Sequence, residues 1–165
     1  MVKFNDLVNI KKAQLRQKIK TSIPGIIKGQ FKIQKANDDK MQVFGWAYIC
    51  VQEDGEQVVD YSGDTVEVPE IEQAAYKFVK FWREGSDNHE RGGVATLIES
   101  MVFTKEKMSA LGITDGTLPE GWWVGFEVTD PDVWEKIKSG EYNMMSIEGE
   151  AVREEIPEED SEETI

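Results

Sequence analysis

A chain of 165 residues with 39% hydrophobic and 10% aromatic side chains can bury a sizeable core, which excludes wholesale disorder. Its formal charge of −13 argues against non-specific nucleic-acid binding, because the phosphate backbone would be repelled. One cysteine and one histidine exclude an internal disulfide and a structural zinc centre.

The charge is unevenly spread. Residues 1–40 hold ten Lys/Arg against three Asp/Glu, and the remainder holds nine against twenty-nine. Near the N-terminus Phe4, Leu7, Val8, Ile10, Leu15 and Ile19 recur among Lys and Gln, which predicts an amphipathic helix over residues 1–20. Pro24-Gly25 then reads as a hinge, so residues 1–25 form a basic helical arm, either simply solvated or able to pair with an acidic partner or with the chain's own acidic tail.

Alternating apolar positions predict a strand over residues 26–34, a turn at 36–39 and a longer strand over 41–51 that includes Cys50 as a buried small hydrophobe. Residues 53–56 are a second turn, and Val58–Tyr61 a short returning strand. Pro69 suits the first turn of a helix, and Ile71, Ala74, Ala75, Phe78, Val79 and Trp82 carry it at helical spacing, with Gly85 as a stop signal. Further strands are expected at 92–103, 121–128 and 143–152, with short helices at 105–111 and 131–138. Trp46, Trp82, Trp122 and Trp134 fall inside these elements and read as core. Residues 154–165 hold seven acidic side chains and no Lys or Arg, the composition of a disordered tail. The fold class is α+β, a mainly antiparallel β-barrel or sheet flanked by helices, with the folded domain at 26–153. No apolar run reaches the roughly 18 residues that span a bilayer, and no signal-peptide core is visible, so a soluble intracellular protein is expected.

No phosphate-binding glycine loop, dinucleotide fingerprint, His-Glu-x-x-His helix, EF-hand or Gly-x-Ser-x-Gly elbow is present. What remains is His89, in the polar run Asp87-Asn88-His89-Glu90-Arg91-Gly92-Gly93. A loop histidine is commonly solvated surface, yet an imidazole is also the side chain suited to general-base work near neutral pH. Ser100 and Ser146 are the serines near strands. Either hydroxyl can be merely structural, whereas a strand serine close to a glycine, as Ser146 is to Gly149, can sit beside a backbone N–H aimed at a developing oxyanion.

Several blocks in order resemble the XkdF-type phage serine proteases. They are Val43-Phe44-Gly45-Trp46-Ala47-Tyr48, Ala74-Ala75-Tyr76-Lys77-Phe78-Val79, the run from His89 to Ser100, Gly121-Trp122-Trp123-Val124-Gly125-Phe126, Trp134 to Tyr142, and Ser146-Ile147-Glu148-Gly149. The similarity covers roughly residues 40–153. It implies a branch of the phage prohead proteases with an assemblin-like fold, a β-barrel surrounded by helices. The implied function is a serine endopeptidase that matures phage capsids by cleaving scaffold or capsid precursors through an acyl-enzyme. The alternative is a non-catalytic head-assembly or scaffold-binding module of the same fold. The resemblance implies Ser146 as nucleophile and His89 as base. The relatives usually take their third residue from a strand after the nucleophile, whereas here Glu99, on the strand adjoining His89, is the candidate orienting acid, with Glu90 and Glu150 as others. It also implies phage scaffold and capsid proteins as partners, a homodimer by analogy, and a place in the host cytoplasm on assembling proheads; with the composition, charge and hydropathy above, no cofactor or metal, no nucleic acid and no membrane are expected. One departure stands out: prohead relatives read Ser-x-Gly, whereas Glu148 occupies the third position here. Strand alternation puts it on the face of Ser146, where a carboxylate opposes an oxyanion.

Overall fold

The computed structural model of the protein describes residues 3–5, 23–37, 40–60 and 63–153. Its elements in chain order are strands β1 (Lys3–Asn5), β2 (Ile23–Asn37) and β3 (Gln42–Val51), helix α1 (Val68–Phe81), strands β4 (Glu84–Asp87) and β5 (Arg91–Phe103), helix α2 (Lys105–Ala110), strand β6 (Glu120–Val128), helix α3 (Pro131–Lys138) and strand β7 (Met144–Arg153). The strands form one sheet in the order β1-β7-β2-β3-β6-β5-β4. Every pairing is antiparallel except β1 with β7. The sheet curls into a half-barrel, so the expected α+β class with a mainly antiparallel sheet holds.

Helix α1 packs against β3, β5 and β6. Pro69 opens it, Glu70 lies in its first turn and Lys80 in its last, both favourable to the helix dipole. Its spacing puts Ile71, Ala74 and Ala75 on one buried face against Ala47, Tyr48, Cys50 and Val124. The small alanines let the helix axis approach the strands, and Phe78 meets Trp122 edge-on at 5.5 Å. Helix α3 starts at Asp130, whose carboxylate accepts from the N–H groups of Asp132 and Val133. It buries Val133 and Trp134 in a second cluster with Val43, Val94, Ala95 and Val128. The opposite face of the sheet carries Trp46, packed edge-on against Trp123 and Phe103 at 5.5 Å each.

Five local expectations need correction. Residues 3–5, assigned to the arm helix, are a strand paired with β7, and residues 6–22 of that arm lie outside the described residues, as does the 154–165 tail. Pro24 and Gly25, read as a hinge, lie inside β2 opposite Val152 and Ala151. Proline is tolerated there because β3 pairs only with residues 33–37 of β2, leaving the strand one-sided at its start. Gln57 makes a single bridge to Val51 and residues 58–60 form no strand, while Tyr61, the last residue of the expected strand, lies outside the described residues. Gly85, expected as a stop beyond the helix, is inside β4, which pairs with β5. Trp82, read as core, caps α1 and is 47% exposed.

Candidate active site

The hairpin joining β4 to β5 places His89. Asp87 O accepts from Glu90 N at 3.0 Å, and the two residues between them, Asn88 and His89, both have positive φ, 49° and 61°. Turns with both central residues in this region match the right-handed twist of a hairpin, and Asn and His tolerate it better than most side chains. The turn carries the imidazole to the opposite end of the curled sheet. There His89 Nδ1 stands 3.6 Å from Glu148 Oε2 of β7. Both side chains keep about a third of their surface exposed, 31% and 33%, so the pair is partly desolvated yet reachable.

A polar cluster holds this turn in place. Tyr142, just before β7, donates its hydroxyl to Asp87 Oδ1 at 2.6 Å and accepts from Asn88 Nδ2 at 3.1 Å and Lys136 Nζ at 3.0 Å. That uses the donor and both acceptor positions of the phenol. Lys136 also lies 3.8 Å from Asp87 Oδ2, and its ammonium sits 4.8 Å from the Tyr142 ring centroid. Arg91 pairs with Asp130 and reaches Asp87 at 3.5 Å. The Tyr142 hydrogen bond, helped by Lys136 and Arg91, holds the Asp87 carboxyl below its ordinary range. Arg91 does the same to Asp130. The Tyr142 hydrogen bond and the nearby Asp87 carboxylate raise Lys136. The hairpin that presents His89 is therefore tied at its base to both α3 and the approach to β7.

The structure brings His89 to the strand that carries Ser146. Ser146 lies two residues before Glu148 in β7, in register with Gln30 of β2; its backbone alone is described. Glu99 is not brought to His89. It lies well along β5, opposite Gly125, eight residues from Arg91 and so about 25 Å away along an extended strand. A Cβ built on Gly125 would meet both Phe44 and the Glu99 Cβ, whereas the flanking Val124 and Phe126 line the cavity, so Glu99 faces away from it. Glu90 shares the His89 turn and is exposed, and Glu150 lies further along β7 opposite Ile26. Ser100 has a structural tie: its hydroxyl accepts from Trp122 Nε1 at 2.9 Å. Glu148, which the sequence set against the site, is the carboxylate the structure places beside the imidazole. Tyr142 and Asp87 had no sequence signal beyond their polarity, since only tertiary structure joins them.

His89 and Glu148 stand at the mouth of a cavity of about 320 Å³ that runs into the half-barrel between the sheet and the helices. Among the described residues no group of His, Cys, Asp and Glu is placed to hold a metal ion. No described helix is long and apolar enough to cross a membrane.

Residues 30–155 match the family described as "Putative phage serine protease XkdF". The chain belongs to this family. It is 34% identical over 122 residues to the phage-like element PBSX protein XkdF of Bacillus subtilis (strain 168), covering 73% of this chain and 41% of that protein. It is 32% identical over 120 residues to the uncharacterized protein YqbD of the same organism, covering 72% of this chain and 34% of the relative. The chain thus spans well under half the length of the curated relatives it matches. No solved structure matches it. The XkdF family region includes every strand from β3 onward and most of β2, and so contains both halves of the His89–Glu148 contact.

Proposed function

We propose that this XkdF-family domain is a serine endopeptidase that cleaves phage scaffold or capsid precursors during head assembly, with Ser146 as nucleophile, His89 as base and Glu148 as the carboxylate that holds the imidazole. The observation that carries the reading is the placement of His89 against β7, at a cavity mouth and 3.6 Å from Glu148. Glu148 faces Nδ1, which leaves Nε2 for the serine. The spacing is longer than a hydrogen bond, as catalytic contacts in substrate-free enzymes often are before they tighten.

The chemistry follows from those roles. Ser146 Oγ bonds to the scissile carbonyl carbon as Nε2 of His89 takes its proton, and Glu148 stabilises the resulting imidazolium. The tetrahedral intermediate collapses, the C–N bond breaks, and the amine leaves with that proton. Water then attacks the ester, gives one proton to His89 and releases the new carboxylic acid. The proton returns to Ser146. A carboxylate opposite an imidazole also answers the objection to Glu148: it is matched to a cation, not left to face the oxyanion alone.

The fold supports kinship with assemblin-type barrels through its curled antiparallel sheet and flanking helices. Residues 26–153 would be the catalytic unit. The basic N-terminal stretch and the acidic 154–165 segment would serve as assembly handles or as segments trimmed on activation. Substrate would be met in the host cytoplasm on the assembling prohead, with the protease acting as a homodimer.

Mass spectrometry of the chain coexpressed with neighbouring capsid and scaffold proteins tests this. Defined cleavage products that disappear with Ser146→Ala and with His89→Ala are expected. Identical uncleaved patterns in all three would favour a non-catalytic assembly module. Cleavage that survives Ser146→Ala would mean that another group is the nucleophile.

A further inference from the structure

We infer that the cavity behind His89 is the specificity pocket of the site, and that it takes a large apolar side chain, Phe, Leu or Met, from the substrate residue beside the scissile bond. Assigning the occupant to a substrate rests on the peptidase reading; the pocket's chemistry rests on the cavity itself.

Size comes first. An apolar cavity of about 150 Å³ holds a benzene molecule, and this one is about 320 Å³. It therefore admits a phenylalanine or leucine side chain. The walls are apolar, including Val94, Trp122, Val124, Phe126, Val128 and Ile137. Interiors are normally packed to crystal density, and unfilled apolar space is costly because its lining loses contacts on one side. A void this large, lined by partly exposed residues such as His89, fits a pocket that is completed by a ligand.

Small residues keep it open. Ala47 and Ala95 line it, as does Gly85, where an added Cβ would lie 3.0 Å from the Ala95 Cβ. Longer side chains at these positions would project into the space.

The charged lining residues come from the β4–β5 hairpin and β7: Glu84, Asp87, His89 and Glu148. Their placement sets orientation. An entering side chain leaves water for the apolar interior, while its own backbone stays at the level of the imidazole, where the reacting carbonyl must be. A charged side chain would lose its hydration against the apolar walls, so it is selected against; lysine is the harder test, because Glu84, Asp87 and Glu148 also line the cavity. The pocket thus separates substrates by the cost of desolvation rather than by a specific hydrogen bond.

The test uses the whole chain, acetylated tripeptide amides of sequence Ala-Ala-Xaa with Xaa Phe, Leu, Met, Ala, Lys or Glu, and NMR detection of the Trp122 indole in the cavity wall. Peptides ending in Phe, Leu or Met should bind at least about tenfold tighter than those ending in Lys or Glu. Ala95→Leu should abolish that preference, and so should Val128→Phe, which fills the same space from another strand. Retained chemical-shift dispersion shows that each variant is folded. In parallel, a small alkyl fluorophosphonate reports whether Ser146 is a reactive nucleophile. Labelling with no side-chain preference, or with a preference for Lys or Glu, overturns the pocket and leaves the peptidase reading standing. Apolar preference without labelling keeps the pocket and removes the enzyme.

Discussion

His89 Nδ1 and Glu148 Oε2 lie 3.6 Å apart although fifty-nine positions separate them in the chain, because the β4–β5 turn and β7 meet across the opening of the curled sheet. Both residues line the cavity. On the peptidase proposal Glu148 is a positioning residue for the imidazole, a role that can be separated from a rim charge that only attracts substrate.

Replacing Glu148 by the isosteric Gln should lower kcat by about 100-fold and leave KM little changed, less than the ~10⁴ loss seen where a buried carboxylate orients the base, because this one is a third exposed. Steady-state kinetics on a cleaved precursor peptide separates the cases. A raised KM with unchanged kcat would reduce Glu148 to a binding charge. A faster variant would mean that the carboxylate opposes the oxyanion.

The Tyr142 hydroxyl connects Asp87, Asn88 and Lys136, and so connects the His89 turn to the end of α3. Tyr142→Phe keeps the ring over Lys136 but removes the shortest hydrogen bond to a partly buried carboxylate, leaving it the longer contacts to Lys136 and Arg91. It should cost about 1–2 kcal/mol, which lowers Tm by roughly 2–8 °C for a chain of this size. Urea unfolding measures it. An unchanged midpoint would show that water replaces the phenol at no cost.

Asp87 and Asp130 are both held below the ordinary aspartate range, the first chiefly by the Tyr142 hydrogen bond and the second chiefly by Arg91. Folded protein therefore binds fewer protons than unfolded chain once pH drops below about 4, where free aspartate begins to protonate. Unfolding then takes up protons, so the stability these carboxylates contribute is present above that pH and is lost as pH falls through their lower folded values. Asp87→Asn should make the acid limb shallower while lowering stability at neutral pH. Parallel acid limbs for the two proteins would mean that Asp87 is not linked to folding.

Much of this fold is legible from period alone. Helix α1 follows from Ile71, Ala74, Ala75 and Phe78 at helical spacing, and β3, β5, β6 and β7 from apolar runs bounded by turn residues. Strand β4 was not legible. Glu84-Gly85-Ser86-Asp87 has no apolar side chain, and its strand character comes from pairing with β5. His89 stood out because the chain has one histidine, but its partner did not. Glu99 lies closer in sequence and on the adjoining strand, yet a strand of thirteen residues carries its far half away from the turn that starts it. Which carboxylate meets the imidazole depends on sheet curl and strand register, and neither has a local signature.

Register also makes one glycine irreplaceable. Gly121 in β6 faces Ile49 of β3 beside an irregularity between Ile49 and Val51. A Cβ built on it would lie 2.3 Å from the Tyr48 carbonyl oxygen and 2.9 Å from the Ile49 Cα. Both obstacles are backbone, so no rotamer change relieves them, and the strands would have to part next to Tyr48, Trp122 and Cys50 at the centre of the core. Gly121→Ala should therefore destabilise by about 3 kcal/mol or more, the range of severe overpacking. Gly92→Ala, where an added Cβ meets nothing within 4 Å, should be nearly neutral. Chemical denaturation of the two variants side by side decides the point: similar midpoints would show that β3 and β6 can slide apart at this end, and that the close approach of their backbones is not what fixes the register of the sheet.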